Sequence, residues 1–504
     1  MRTNRFAVAP PIPEPTILNY EGFPAFERTI EERVIQVLTT GSTANTFYVS
    51  GKENIEQIVN VCKECEPDFL SKALVYAREE GFTRTAPILG LAVLSTKNSS
   101  DFHRVASRVC KNPRDWKQLI DACLAEGDPI RKGMGRAIKD EIIKALASMS
   151  EYHAIKYPSD VRDMIRTARP REGVNRSVIK YIMAGETGDN GMFRAVEALK
   201  EERGPAMCES LVRDHKLPYE VVSGMEKAVK HPGVWTALFE NAPHFNLVRN
   251  INTFQRHGVF ADAENIKSAV SRIMDAEAIK KAKLFPFRYY VAWANVKGAW
   301  GLSAIGNALK QAVELSALNV PLVPGRVVIS TDISGSMSSH VMGDDSVLQC
   351  IDVAALFSAI LKTRCDMPPL LLPCADSIDW TMAQRAMDAE GILKTAECYD
   401  YHGGTSLSAP VEHLLRNRIV CDKYIAFTDN MQWVGRSFLD AFLQYKRMVA
   451  PKCQAYLVTL MPYDGAPAPP QIEDVHFIYG WSDNILKYVT MSPDAQVRAV
   501  RESV

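Results

Sequence analysis

Arg326-Val327-Val328-Ile329-Ser330-Thr331-Asp332-Ile333-Ser334-Gly335-Ser336 decides how the last third of this 504-residue chain folds. A short β-branched run ends in Thr331-Asp332, and a turn then presents a carboxylate and two hydroxyls in alternation. Working outward, a helical pattern follows at Gln349–Lys362, then a strand within Pro368–Pro373 and a helical and loop stretch to Gly403-Gly404. Next come a strand at Lys423–Phe427 closing in Thr428-Asp429, a helix at Phe438–Met448, and strands at Gln454–Leu460 and Val475–Tyr479. Strands alternating with helices predict a parallel, doubly wound, Rossmann-like α/β domain over residues 324–504.

In such a sheet, ligands sit beyond the carboxyl ends of the strands. Three loops present oxygens there: Asp332, Ser334 and Ser336; Thr405 after the flexible Gly403-Gly404; and Asp429. Two carboxylates and three hydroxyls suit a hard divalent cation, best Mg²⁺, which takes six oxygens and keeps waters. Without Cys or His in the set, zinc and copper are disfavoured. Each residue is also a common turn or cap type, but five of them falling after the expected elements argue for a site. There is no GxSxG elbow around Ser334 or Ser336 and no P-loop. Gly133-Met134-Gly135 lacks a third glycine and a preceding strand. The reading is therefore non-enzymatic.

Upstream, from about Phe26 to Asn319, the periodicity is helical almost throughout. Segments at Ile55–Cys65, Asp68–Glu79, Thr85–Leu94, Trp116–Ala125, Ile138–Met149, Arg194–Glu202, Tyr219–Val229 and Val234–Phe239 are separated by Pro, Gly and Asn breaks such as Asn112-Pro113 and Gly127-Asp128-Pro129. Two helices and two breaks recur about every 30–45 residues, as in an irregular HEAT-like α-solenoid over residues 26–323. Residues 1–25, with Pro10-Pro11-Ile12-Pro13, read as an extended lead-in.

Net charge is zero, yet residues 1–325 carry six more basic than acidic residues and residues 326–504 six fewer. The basic excess gathers in residues 101–180. At Pro158–Pro170 the pattern predicts a helix with Val161, Met164, Ile165 and Ala168 on one face. Arg162, Arg166 and Arg169 stand on the other at i, i+4, i+7, spaced like phosphates along a nucleic-acid strand. Lys156, Arg171, Arg176 and Lys180 extend that patch, while Asp160, Asp163 and Glu172 offer partial neutralisation. A second basic run holds Lys132, Arg136 and Lys139. Eleven scattered cysteines, an odd number, fit a reduced, cytoplasmic protein. The one CxxC, Cys62 and Cys65, falls on a helix face and reads as packing. No stretch is apolar enough for a membrane span, and no secretory signal is visible.

The ligand set resembles the metal-ion-dependent adhesion site (MIDAS) of von Willebrand factor A domains, which capture a partner's acidic oxygen. The order of Phe47-Tyr48-Val49-Ser50-Gly51-Lys52, Gly81–Pro87, Gly133–Lys139, Val234-Trp235, Leu247-Val248-Arg249-Asn250 and Phe285-Pro286-Phe287 is similar to the TROVE module of the Ro autoantigen family. That family appends an A domain with Gly-Thr and Phe-Thr-Asp-Asn, here Gly404-Thr405 and Phe427–Asn430. The resemblance implies a helical ring bridged by the A domain and no enzymatic activity. It implies binding of small structured Y-like RNAs outside the ring and single-stranded ends of misfolded noncoding RNA in its hole. It further implies a role in RNA quality control, with an exoribonuclease as a partner in some members and no DNA specificity. Lys156, Arg162, Arg166 and Arg169 fall on the family's outer RNA surface, and Arg84 lies in a matched stretch. Arg249 and Asn250 match residue by residue, with RNA-binding and structural roles both open. The competing reading is a cation-dependent protein-interaction scaffold to which RNA binding is incidental.

Overall fold

In a computed structural model, residues 14–504 are described except 42, 125–129, 132, 202, 283, 285, 297, 300, 319, 342–347, 471, 482 and 491–494. The Pro10–Pro13 lead-in, the Gly127–Pro129 break, Lys132 and Phe285 therefore lie outside the described residues.

The helical part starts at α1 (Ile30–Thr40), α2 (Gly51–Glu64) and α3 (Pro67–Glu79). Both α1 and α2 open with a capping box: the hydroxyls of Thr29 and Ser50 accept from the amides of Glu32 and Glu53, whose carboxylates accept back from the cap amides. α3 begins with Pro67, whose missing N–H costs nothing at that position. Packing then joins successive helices, as α3 with Thr85–Lys97, and also the next but one: α2 meets Thr85–Lys97, α3 meets Ser99–Val109, and Thr85–Lys97 meets Pro113–Leu124. The expected helix Tyr219–Val229 is broken into Tyr219–Val222 and Glu226–Val229 around Ser223-Gly224. Turn bonds from the Gly224 amide to the Val221 carbonyl (3.3 Å) and from the Met225 amide to the Val222 carbonyl (2.9 Å) replace the helical ladder where glycine's poor helix propensity weakens it.

The C-terminal sheet has five parallel strands, β1 (Val327–Asp332), β2 (Leu370–Cys374), β3 (Lys423–Thr428), β4 (Gln454–Thr459) and β5 (Val475–Tyr479), in the order β2-β1-β3-β4-β5. Alternate residues enter two different cores. Val328, Tyr424, Ala426 and Leu457 pack with Val411, Phe438 and Phe442 on one face. Ile329, Ile425, Phe427, Tyr456 and Val458 face the other way, into a core continuous with that of the helical part. The helix Cys350–Arg364 lies between the two, and every residue from Cys350 to Leu361 except Asp352 is buried because it packs on the sheet and on Pro286–Val296.

The chain closes on itself. At one end Pro286–Val296 and Ser303–Ala317 pack on Cys350–Arg364 and Ile392–Ala396, while at the other β5 packs on α1. Gln36, buried in α1, donates to the carbonyls of Met461 (2.9 Å) and Tyr463 (3.0 Å). Tyr76 of α3 meets the Tyr488 hydroxyl at 3.0 Å and accepts from Gln496 at 3.1 Å. The last stretch departs from the expected A domain, since helix Ala495–Arg501 packs on α3. The lead-in is also more structured than expected, with Ile17–Leu18 and Pro24–Ala25 paired as a hairpin whose continuation, Phe26, bridges to Ala466. All eleven cysteines are free. Cys62 is buried within α2 and Cys65 is its buried cap residue, its thiol pushed up to about 12 chiefly by burial.

Candidate functional site

The chain moves from β1 to β2 on one side and from β3 to β5 on the other, so the strand order reverses between β1 and β3. A crevice opens at the carboxyl ends of those two strands. Asp332 ends β1 and Asp429 follows β3. All five expected ligands, Asp332, Ser334, Ser336, Thr405 and Asp429, come together there, each no more than 4% exposed.

Their orientations are fixed by local bonds. Asp332 Oδ1 accepts from the Ser334 amide at 2.9 Å, and Asp332 Oδ2 accepts from the Thr428 hydroxyl at 2.7 Å. The hydroxyls of Ser334 and Ser336 are 3.1 Å apart. Asp429 Oδ1 accepts from the Met431 amide at 3.0 Å, whereas Asp429 Oδ2 is buried without a partner. The Gly335 amide donates to the Gly403 carbonyl at 3.1 Å, which ties the loop of Thr405 to the first loop. Gly403 has φ +67, and a Cβ at Gly404 would stand 2.3 Å from Trp433 Nε1 and 2.5 Å from Asp376 Oδ1. The glycine pair is therefore required by backbone conformation and by space.

The electrostatics are those of two carboxyls buried side by side. Burial, then the nearby Asp332, pushes the Asp429 carboxyl up to about 7, and burial raises Asp332 as well. Among the described residues neither carboxylate has an ion-pair partner. Two buried carboxylates and an unused carboxylate oxygen fit a divalent ion with hard-oxygen preference. Among the described residues no group of three or more His, Cys, Asp or Glu side chains gathers as a metal site, so this one depends on its hydroxyls as much as on its two carboxylates.

The helical part also reaches this crevice. Phe47's amide donates to Ser339 Oγ at 3.1 Å, 292 residues away in sequence. Beside it, the Tyr48 hydroxyl donates to Glu21 Oε1 at 2.5 Å, with Asp429 near enough for its charge to act on the phenol. Burial first, then Glu21 and Asp429, hold the phenol well above its ordinary value, so it remains a donor. The Phe47-Tyr48 stretch carries part of the family resemblance, but nothing in the sequence links it to a site almost three hundred residues later.

The basic candidates divide into two groups. Arg162 and Arg166 are exposed on the helix Pro158–Ala168, and Arg171 and Arg176 are exposed beyond it. Arg169 leaves the expected i+7 position because it caps the helix in a left-handed conformation, φ 48; it too is exposed. None of these five arginines is in an ion pair among the described residues. Asp160 and Asp163, expected to neutralise them, face Arg114 (3.2 Å) and Lys117 (3.8 Å) of the neighbouring helix. Lys180 lies 3.6 Å from Glu186. In the second run, Arg136 is solvent-exposed with Asp140 at 3.8 Å, and Lys139 is half-buried.

The others are engaged. Lys156 pairs with Glu220 at 2.9 Å and lies over the Tyr152 and Tyr157 rings, which draws it out of the patch. Arg84 is bound at 2.6 Å to Asp115, a fully buried carboxylate also held by Arg78 at 2.8 Å. Asn250 donates to the Asn246 carbonyl at 2.9 Å within His244–Arg256, and Arg249 is exposed on that helix.

Comparison with known proteins agrees with both halves. The family model of the Ro60 vWA domain matches residues 326–485, and that of the TROVE domain matches residues 224–321. The chain is 23% identical over 484 residues to RNA-binding protein RO60 of Deinococcus radiodurans, covering 90% of each protein. It is 22% identical over 526 residues to RNA-binding protein RO60 of Caenorhabditis elegans, covering 83% of this chain and 80% of that one. The crystal structure of the Deinococcus radiodurans RO (RSR) protein superposes with a TM-score of 0.63 at 18% identity, covering 94% of this chain and 100% of that chain.

Proposed function

The chain belongs to the Ro family, and from that premise we propose that it is a non-catalytic RNA-binding protein holding a Mg²⁺-like cation in its sheet domain. The observation that carries the RNA reading is the run Arg162, Arg166, Arg169, Arg171 and Arg176. Five exposed guanidinium groups lie within fifteen residues; of the three carboxylates among or beside them in sequence, Asp160 and Asp163 are engaged elsewhere, which leaves the exposed Glu172 against five positive charges. On the helix Ser99–Val109, by contrast, Arg104 and Arg108 both have carboxylate partners. An unneutralised arginine surface favours a polyanion, since each guanidinium offers a planar fork to phosphate. The names of the relatives support the same reading. The ligands are small structured Y-like RNAs and single-stranded ends of misfolded noncoding RNA, and the process is RNA quality control in the cytoplasm. Eleven free thiols suit that reducing compartment.

Asp332, Ser334, Ser336, Thr405 and Asp429 would hold the cation, whose open position supplies a Lewis-acidic seat for an acidic oxygen of a protein partner such as an exoribonuclease. The chain's own residues orient that seat through the bonds of Ser334, Thr428 and Met431 to the two carboxylates.

The test is a salt titration of RNA affinity. Replacing Arg162, Arg166 and Arg171 together with Gln is expected to reduce affinity and to flatten the log–log slope by about 2 to 3, at ~0.7 to 0.9 per lost phosphate contact. An unchanged slope would remove this surface from the proposal. A purified protein free of RNA that ignores structured RNA at low salt would favour the scaffold reading. EDTA is expected to abolish partner capture and to leave RNA affinity intact.

A further inference from the structure

The cation site lies where the two ends of the chain meet, and the surrounding side chains come from both modules. Tyr48 is held from three sides: its ring stacks on Tyr20 (5.9 Å, 11°), lies edge-on to Tyr463 (5.1 Å) and edge-on to Phe47 (4.8 Å). The Phe47 amide fixes the same loop to Ser339. Glu21 is also placed rather than free to swing. It sits at the tip of the Ile17–Ala25 hairpin, where Asn19 Oδ1 accepts from the amides of Glu21 (3.0 Å) and Phe23 (2.9 Å). Asn19 Nδ2 in turn donates at 2.7 Å to the carbonyl of Gln432, three residues after Asp429. The hairpin is thus pinned to the loop that carries a cation ligand. The Tyr48 hydroxyl, bonded to the exposed Glu21, thus lies on a loop fixed at Ser339, three residues after the ligand Ser336, and packs on Tyr463 beside a hairpin pinned three residues after Asp429.

We propose that Tyr48 completes the cation site from the helical module by donating to the carboxylate that takes the cation's open position, and that Glu21 holds this donor until that carboxylate arrives. The inference rests on the cation-site reading above. A carboxylate displaces Glu21 from Tyr48 like for like, one oxyanion acceptor for another, and the cation compensates the added charge. The occupant is a carboxylate of a protein partner rather than an RNA phosphate. The rim of the crevice is aromatic, with Phe47, Tyr20 and Trp433 each about half exposed or more. Glu21 and Asp376 add negative charge, and no Lys or Arg bonds to any of these groups among the described residues. An apolar rim around one charged seat suits an acidic side chain with aromatic or aliphatic neighbours, and repels a polyanion. The position of Tyr48 further means that the site is complete only while the two modules are docked.

The full-length protein tests this with Mn²⁺ and acetate as probes. Free Mn²⁺ measured by electron paramagnetic resonance gives the cation affinity, and loss of bound water seen in water-proton relaxation reports acetate. Tyr48→Phe is expected to weaken acetate about tenfold, the worth of one charge-assisted hydrogen bond, and Glu21→Gln to strengthen it about fivefold. Neither residue is a ligand, so Mn²⁺ affinity is expected to move by less than about threefold in both. Mn²⁺ binding that depends on Asp332, with acetate affinity within about twofold of wild type in both variants, overturns the role of Tyr48 and Glu21 alone. Mn²⁺ binding that survives Asp332→Ala overturns the cation-site reading itself. Inorganic phosphate displacing Mn²⁺-bound water more tightly than acetate would reassign the seat to an RNA phosphate and overturn the choice of a protein partner.

Discussion

Arg84 illustrates how a basic residue in a matched stretch acquires its place from the structure. Asp115 is fully buried and receives Arg78, Arg84, the Asn112 side chain at 2.9 Å and the Lys111 amide at 3.0 Å. A carboxylate removed from water stands only because these donors surround it. Arg78 is the more buried partner, at 13% side-chain exposure against 41% for Arg84. Arg78→Ala is therefore expected to cost about 3 kcal/mol of folding stability. Arg84→Ala, discounted for solvent screening, is expected to cost about 1 kcal/mol. Chemical denaturation of the two variants checks the order. An Arg84→Ala protein that is equally stable but binds RNA less tightly would return Arg84 to the RNA surface. The contrast with Arg162 and Arg166 is invisible in sequence, because all four are arginines within or at the end of a helical pattern and only the location of the nearest carboxylate separates them.

At the scale of elements, the glycine loop before Thr405 is the most constrained connection in the sheet domain. Thr405 is aimed by that loop: its carbonyl accepts from the Trp433 and Val434 amides at 3.2 and 3.3 Å. A methyl group at Gly404 meets both the Trp433 indole and the Asp376 carboxylate well inside contact distance. Gly404→Ala is expected to move Thr405 off the crevice and to weaken Mn²⁺ binding at least about tenfold while costing about 1–3 kcal/mol of stability. Calorimetry with and without the ion separates the two effects. The sequence pattern was well suited to elements like β5 and the helix Phe438–Met448, whose observed limits match the expected ones. Regular periodicity and strong end signals make such boundaries local properties. It was poorly suited to Arg169, where the helix terminates in a left-handed cap one residue before Pro170 and the expected stripe loses its last member. Proline's exclusion of the preceding residue from helical conformation is the physical reason.

For the whole molecule, closure rests on buried polar contacts rather than on a linker. Gln36 is 2% exposed and satisfies two carbonyls of the sheet domain, and Arg28 donates to the Tyr463 carbonyl at 3.1 Å and to Gln36 itself. Gln36→Leu keeps the volume but removes the Met461 carbonyl's side-chain donor, one of the two donors to the Tyr463 carbonyl and the acceptor of Arg28 in a buried seam, an expected cost of about 2–3 kcal/mol. Hydrogen exchange provides the readout: α1 and residues 455–463 are expected to lose protection together, ahead of the sheet's central strands. If they exchange no faster than in the wild type, the seam does not hold the ends together. No described helix is long and apolar enough to cross a membrane.

The sequence alone determined the helical array, the parallel sheet and the five oxygen-bearing residues at strand ends. All of these follow from short-range periodicity, turn chemistry and residue type, which act over a few positions. Tertiary structure alone decided which charges stay free, because Asp160 and Asp163 turn toward a neighbouring helix rather than toward the arginines beside them. It also decided that the C-terminal helix returns to α3 and that Tyr48 meets the crevice of Asp332 and Asp429. Contacts such as Phe47 with Ser339 or Gln36 with Met461 join residues hundreds of positions apart. Nothing in either local stretch encodes the other, and only burial of the shared surface brings them together.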